Sequence, residues 1–278
     1  MKALLLLTAG CAMAQTPDID QIMSRVAINQ AKSQELRTEW VYHQKQLLRM
    51  IRGGSKVARE EHREYTIAPK VRGIHKQLTA FDGKYEQHGK YFSYDKPGYT
   101  YKEMDIDGEL INDLSNDLTD DHKGKDGVSP ELFPLTYHQQ LKYNFKLLGT
   151  EARQGKQVYR VQFEPKPHTK DYDGDTGAWK GEALIDAEEF QPVLVHTTLA
   201  IKIPLLVKTM LGTNIKGLGF SVSYQKFADG VWFPVTYGGE FEVRAVFFYG
   251  RKISVSMVNS DFKRADVTSN VAYVIEDK

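Results

Sequence analysis

The chain has 278 residues, with 37 Lys and Arg against 36 Asp and Glu, and 41% of its residues are hydrophobic. This near-neutral charge offers no basic surface for nucleic acid, so the composition argues against a nucleic-acid-binding function. The chain is too hydrophobic for disorder, and no apolar run reaches the ~18 residues that span a bilayer. We therefore expect a globular protein with a sizeable core and no transmembrane segment in its mature form.

Residues 1–14 resemble a secretory signal peptide. Lys2 precedes a short apolar stretch, and the small residues Ala12 and Ala14 fit the narrow pockets of a signal peptidase. We expect cleavage before Gln15, which leaves residues 15–278 as a single exported domain in the periplasm.

The same segment allows a second interpretation. Residues 8–11 resemble a lipobox in which Cys11 is lipidated and anchors the chain, although Thr8 stands where leucine is preferred. A third interpretation is a buried apolar N-terminus. Cys11 is the only cysteine, so we expect no intramolecular disulfide, and stability must come from packing.

An amphipathic helix is predicted over residues 17–36. Thr16, Pro17 and Asp18 stand at the N-cap, the first helical position and the first turn. Apolar residues then recur at helical spacing, namely Ile19, Ile22, Met23, Val26 and Ala27.

The remaining pattern is mainly extended. Residues 38–52 and 56–69 flank Gly53 and Gly54 and predict a long hairpin. Further extended pieces are predicted at 73–81, 90–94 and 99–104, followed by a short helix near 110–118 within a mobile loop. A helix or strand from 138 then leads into a hairpin with its turn at 154–155. The last part of the chain predicts an antiparallel meander with strands at 179–203, 219–239, 240–250, 251–263 and 269–276.

Alternation within the meander places a set of apolar side chains on one face and polar side chains on the other. The apolar set is Val193, Val195, Leu199, Ile201, Phe220, Val222, Tyr224, Phe241, Val243, Ala245, Phe247, Ile253, Val255 and Met257. Such a face must be covered by helices, close on itself or hold a ligand. An ordinary core, covered by the N-terminal helix and residues 204–217, and a ligand cavity both remain open at this point.

No catalytic motif is present. The sequence lacks GxSxG, a complete dinucleotide-binding glycine loop and HExxH, and its eight histidines are scattered. Glu60 and Glu61 are adjacent on a predicted strand and therefore point to opposite faces, which excludes a catalytic dyad. We expect no catalytic residues, no metal and no cofactor.

One acidic loop has the oxygen spacing of a calcium site. Asp171, Asp173, Asp175 and Glu182 match EF-hand ligand positions, but Thr176 replaces the glycine that the sharp turn needs. We expect an exposed acidic turn, and calcium binding by residues 171–182 is the alternative.

Several short patterns in the second half resemble those of a known superfamily. They are VYRV at 158–161, PKP at 165–167, WKG at 179–181, Ile185–Asp186, LGT at 211–213, DGVWFP at 229–234 and NSDF at 259–262. With them the chain is similar to an uncharacterised secreted bacterial branch of the LolA/LolB-like superfamily of outer-membrane lipoprotein-sorting carriers.

This resemblance implies a mainly β fold with a few helices: a curved, unclosed antiparallel barrel with an N-terminal helix and further helices plugging its concave face. It implies a cavity for acyl chains of lipids or lipoproteins, and no ligand contact can be transferred residue by residue.

The sequence therefore favours a non-enzymatic envelope carrier that binds an acyl chain. The predicted cavity residues are Leu199, Ile201, Phe220, Val222, Phe241, Val243 and Phe247, and the predicted lid residues are Leu205, Leu206, Met210 and Leu211. The alternative is a structural or interaction module of the cell envelope with a filled core, whose partner is another protein.

Overall fold

A computed structural model describes residues 17–70, 73–118, 134–167, 178–201, 214–217, 219–245 and 249–265. The predicted signal peptide and Cys11, the predicted lid, Phe247, the predicted strand at 269–276 and the aspartates of the acidic loop lie outside the described residues.

The described residues form three helices and twelve strands. In chain order they are α1 (Ile19–Leu36), β1 (Trp40–Ile51), β2 (Val57–Pro69), β3 (Ile74–Gln87), β4 (Lys90–Tyr94), α2 (Ile106–Leu118), α3 (Tyr137–Gln140), β5 (Tyr143–Arg153), β6 (Lys156–Pro165), β7 (Ala178–Asp186), β8 (Pro192–Ile201), β9 (Asn214–Lys216), β10 (Gly219–Ala228), β11 (Val231–Ala245) and β12 (Tyr249–Arg264).

All strands belong to one antiparallel sheet, in the order β4-β3-β2-β1-β12-β11-β10-β8-β7-β6-β5, with β9 paired to β11. Pairing of β1 with β12 joins the N-terminal hairpins to the C-terminal meander. Strands β4 and β5 stand at the two ends of this order and do not pair, so the sheet is curved and unclosed. This confirms the predicted fold class.

Helix α1 follows from its sequence pattern. The carbonyl of Asp18 accepts the first helical hydrogen bond from the Ile22 N–H at 3.0 Å, so the helix begins two residues later than predicted. Its buried face, which comprises Ile22, Met23, Val26, Ala27, Gln30 and Ser33, faces the sheet and is apolar in its first half and polar in its second.

Three sequence-based predictions need correction or refinement. Residues 99–104, predicted as extended, form bends and turns instead. The predicted strands at 219–239 and 240–250 divide differently, because Gly238 and Gly239 lie inside β11 and stay paired with β12. The segment from 138 onward resolves into the short helix α3 and then strand β5.

Two hydrophobic clusters stabilise the fold. The larger lies between the inner face of the sheet and helices α1 and α2, and the smaller contains Trp40, Tyr42, Tyr65, Ile67, Ile74, Val231 and Phe233. The larger cluster contains eight residues of the predicted apolar face, and it is the starting point for the functional site. These residues are Val195, Phe220, Val222, Phe241, Val243, Ile253, Val255 and Met257.

Candidate functional site: the inner face of the sheet

Four of the predicted cavity residues lie together on the inner face. Phe220, Val222, Phe241 and Val243 have exposures of 4%, 0%, 2% and 0%, respectively. They belong to one cluster with side chains from both covering helices, namely Ile22, Met23 and Val26 of α1 and Leu110, Ile111 and Leu114 of α2. The backbone of Leu199 and Ile201 lies on β8. The inner face is therefore covered by helices.

Aromatic packing fills the middle of this face. The Phe220 ring stacks on Tyr237 with 5.1 Å between ring centroids and lies 5.4 Å from Trp179. A Cβ atom at position 239 would come within 2.5 Å of the Phe220 ring, so Gly239 provides the space that this ring occupies. Phe220, Val222, Phe241 and Val243 thus share one cluster with the helices, and the role of the predicted cavity residues as ligand contacts stays a prediction.

Tyr237 brings a polar group into this apolar surrounding. The residue is 3% exposed, and its hydroxyl has no hydrogen-bond partner among the described residues. Burial raises the pKa of Tyr237 well above its usual value, so the hydroxyl stays protonated. Among the described residues, this donor has no acceptor.

The two halves of α1 contact the sheet differently. In the second half, Ser33 Oγ accepts from the Trp232 N–H at 3.0 Å, and the side chains of Gln30 and Arg37 bond to Gln191 and to the Trp232 carbonyl. In the first half, apolar side chains make the contacts with the sheet. The side chains of Asn29, Gln30 and Ser33, which bond to the sheet or its turns, all belong to the second half. The first half also has polar contacts: the Met23 carbonyl accepts from Gln140 Nε2 of α3 at 2.9 Å, and the Arg25 guanidinium lies 4.6 Å from the Phe190 ring centroid.

Helix α2 is held at its N-terminus by an ion pair. Asp107 accepts from Arg251 Nε at 2.8 Å, from Arg251 Nη2 at 3.0 Å and from Tyr249 Oη at 2.8 Å. Further along, the Ser115 hydroxyl lies 3.0 Å from Gln46 Oε1 on β1. These contacts fix α2 over the sheet.

The part of the inner face that β1 and β2 provide combines apolar side chains, among them Leu48 and Met50, with a buried group of charged side chains that sequence reasoning missed. We call this part the polar half of the inner face. Arg59, Glu61 and Arg63 alternate on β2 and are all buried. Arg59 Nε donates to Tyr94 Oη at 2.7 Å, Arg59 Nη1 donates to Asp105 at 2.6 Å, and Arg63 Nε donates to Glu61 at 2.8 Å. Charges of opposite sign at a spacing of two residues put ion pairs on one strand face, and this signal is present in the sequence.

Electrostatics within this polar half keep the arginine charged. Burial alone would lower the pKa of Arg59, but Tyr94 and Asp105 outweigh it, and the net shift is upward. Burial, together with the Glu61 carboxylate, raises the pKa of Tyr94, which therefore donates to Glu61 at 2.7 Å. The four buried charges balance one another, so this half has no uncompensated charge to offer a ligand.

On the outer face, Glu60 is held in its ionised form. Burial alone would raise its pKa, but hydrogen bonds from Lys84, Arg49 and His62 lower it to about 2. Glu60 and Glu61 therefore lie on opposite faces with different partners, as the sequence analysis expected.

Glu60→Gln is expected to reduce stability at neutral pH by about 1–3 kcal/mol. The folded-state pKa lies below the unfolded value, so the stabilisation is present above pH 4.5 and is lost as the pH falls toward about 2. Urea unfolding at several pH values should show the difference from wild type shrinking over that window. Glu240→Gln, which removes an exposed ion pair with Lys252, is the control and should change stability by less than about 1 kcal/mol. If the loss of stability in Glu60→Gln stays constant down to pH 2.5, the lowered pKa of Glu60 is contradicted.

The outer surface carries a hollow of about 550 Å³ beside the β1–β2 turn. Its charged side chains are ion-paired: Arg52 with Glu86, Arg244 with Glu242, Arg251 with Asp107 and Lys252 with Glu240. Across the part of the chain that the structure describes, no group of three or more His, Cys, Asp or Glu residues is placed to bind a metal ion. No helix in that part is long and apolar enough to cross a membrane.

No family profile matches the sequence, and no curated protein matches it. Solved structures do match. The chain is similar to a putative outer membrane lipoprotein-sorting protein domain from Vibrio parahaemolyticus, at 12% identity and a TM-score of 0.42 over 91% of this chain and 96% of that one.

Two further structures match over 91% of this chain. They are a DUF1329 family protein from Desulfovibrio piger (11% identity, TM-score 0.40, 95% of that chain) and a LolA superfamily protein from Nitrosomonas europaea (11% identity, TM-score 0.34, 96% of that chain).

Proposed function

We propose that the protein is a non-enzymatic carrier of the bacterial envelope, exported to the periplasm, that shields an acyl chain of a lipid or lipoprotein. In this proposal the bound acyl chain lies between the inner face of the sheet and helix α1. The observation that carries this proposal is the asymmetric attachment of α1. Its first half packs on the apolar face of the sheet through Ile22, Met23 and Val26, and its second half is held to the sheet by side-chain hydrogen bonds.

This asymmetry suggests how the interior opens. Contacts through Ile22, Met23 and Val26 have no required geometry, so an acyl chain can replace them with other apolar contacts. The hydrogen bonds of Gln30 and Ser33 require a fixed geometry and keep the second half in place. The first half of α1 can therefore move away from the sheet about its second half once the hydrogen bond from Gln140 to the Met23 carbonyl breaks.

The energy of such binding is favourable but limited. Burial contributes about 0.8 kcal/mol per CH₂ group, so a chain of about twelve to sixteen carbons gains ~10 kcal/mol. Association itself costs about 4–15 kcal/mol, and the helix contacts must be replaced as well. We expect dissociation constants in the micromolar range.

The test is titration of the purified mature protein with a fluorescent sixteen-carbon fatty acid. Wild type should show saturable binding. Val243→Thr adds a hydroxyl to the inner face with little change in shape, and it should weaken binding about tenfold because the new hydroxyl loses its water when the acyl chain covers it.

Val231→Thr is the matched control, because Val231 is 2% exposed but lies in the smaller hydrophobic cluster. It should cost similar stability and leave fatty-acid binding unchanged. If wild type binds neither fatty acid nor phospholipid, the carrier proposal is wrong.

A filled-core interaction module of the envelope is the second candidate. The observation that favours it is the close packing of Phe220, Val222, Phe241 and Val243 beneath the two helices. It predicts that wild type takes up no lipid and that substitutions on the inner face change stability alone.

A further inference from the structure

The unpaired hydroxyl of Tyr237 needs a physical explanation. A buried hydroxyl without a hydrogen-bond partner destabilises the fold, and the large majority of buried side-chain polar atoms in proteins are hydrogen-bonded. Phenylalanine would fill the same position without this cost. The hydroxyl therefore marks a place where an acceptor is missing from the described residues.

Among the described residues, the three side chains known to lie beside Tyr237 do not supply that acceptor. Val222 and Met257 lie opposite Tyr237 on the flanking strands β10 and β12, and the Phe220 ring stacks on the Tyr237 ring. Valine and phenylalanine have no acceptor, and a thioether accepts weakly. A buried water needs two to four polar partners, and Val222, Met257 and Phe220 offer at most one weak acceptor.

We infer that the Tyr237 hydroxyl binds the carbonyl oxygen of an acyl ester, and that the protein therefore selects esterified acyl chains over plain hydrocarbon chains. This inference rests on the proposed carrier function and names the ligand class for the same interior. Tyr237 is a positioning residue in this site, since it fixes how deep the ester group enters.

The chemistry of acyl lipids fits a single donor. Along an acyl chain the carbonyl is the polar group nearest to the hydrocarbon, and it accepts hydrogen bonds without carrying charge. The hydroxyl stays protonated because burial raises the pKa of Tyr237, so it remains a donor at every physiological pH. A neutral donor among apolar side chains suits a neutral acceptor, whereas a buried carboxylate would need a second partner.

The experiment compares two probes of equal length, methyl palmitate and hexadecyl methyl ether, by displacement of a bound fluorescent fatty acid. Wild type should bind the ester about five- to tenfold more tightly than the ether, which corresponds to one hydrogen bond. Tyr237→Phe should lose that preference by weakening the ester alone, and its urea midpoint should rise because the unpaired hydroxyl is gone.

Tyr143→Phe is the matched control, because the Tyr143 hydroxyl accepts from the Trp179 N–H at 3.3 Å. It should lower the urea midpoint and keep the ester preference. Equal affinity of wild type for ester and ether, or an unchanged preference in Tyr237→Phe, would overturn the inference and leave the carrier function standing. Failure of wild type to bind either probe would instead overturn the carrier function and this inference with it.

Discussion

Val222→Asp is expected to unfold the protein. Val222 is 0% exposed on β10 and belongs to the larger hydrophobic cluster. The substitution forfeits about 1.5–3 kcal/mol of side-chain burial and places an unpaired carboxylate in the core at a cost of several kcal/mol more. Domains are stable by about 5–15 kcal/mol in total, so most of the folded population should be lost. Circular dichroism and urea unfolding measure this directly.

Gln225→Asp is the control, because Gln225 is exposed on the same strand. It should change stability by less than about 0.5 kcal/mol. A milder variant, Val222→Ala, should cost about 2 kcal/mol and remain folded, which makes it the suitable form for binding measurements. A folded Val222→Asp protein with near wild-type stability would show that this face is open to solvent and that helix α1 does not cover it.

The apolar half of the inner face could be predicted because its strands alternate strictly. Phe220 and Val222 on β10 and Phe241 and Val243 on β11 each occupy every second position, and period-two alternation fixes the face that a strand buries. The N-terminal hairpin was predicted in a different way, from two extended runs on either side of Gly53 and Gly54. What alternation does not encode is which strands become neighbours.

Pairing of β1 with β12 illustrates that limit. Trp40 lies opposite Arg264, so two segments more than two hundred residues apart form one ladder of paired strands. No local sequence pattern predicts such a contact. The turns at 99–104 were predicted wrongly for a related reason. Tyr99 and Tyr101 look like strand residues, but they stack instead on Tyr94 and Tyr85, at 4.9 Å and 4.6 Å between ring centroids, as side chains of a turn.

The polar half of the inner face was missed because its charges are hidden by tertiary contacts. Arg59 is as buried as any valine of the core, since Asp105 and Tyr94 come from distant parts of the chain to satisfy it. Gly108 leaves the space that this ion pair needs, because a Cβ atom at position 108 would lie 2.7 Å from both Arg59 Nη1 and Asp105 Oδ2. A sequence shows the charges but not the partners that allow their burial.

Arg59→Met is expected to destabilise the fold by about 3–5 kcal/mol, because removing one partner of a buried ion pair leaves the other charge uncompensated. Asp105 loses its 2.6 Å contact with Arg59 Nη1, and Glu61 keeps Arg63. Urea unfolding at pH 7 measures the loss. Arg160→Met is the matched control: Arg160 forms a 2.8 Å pair with Glu182, its side chain is 47% exposed, and its removal should cost less than about 1 kcal/mol.

The variant Asp105→Asn tests the negative charge of Asp105 separately from its role as the N-terminal cap of α2. Asp105 Oδ1 accepts from the Gly108 N–H at 3.1 Å and so caps the N-terminus of α2, and an asparagine oxygen can accept the same hydrogen bond without a charge. The double variant Arg59→Met/Asp105→Asn should therefore recover at least about half of the stability that Arg59→Met loses, because no uncompensated carboxylate remains at position 105. If the stability losses of the two single variants simply add in the double variant, the ion pair is not what stabilises this half of the sheet. The cost of Arg59→Met then comes from lost packing against Tyr94, whose ring centroid lies 4.6 Å from the guanidinium.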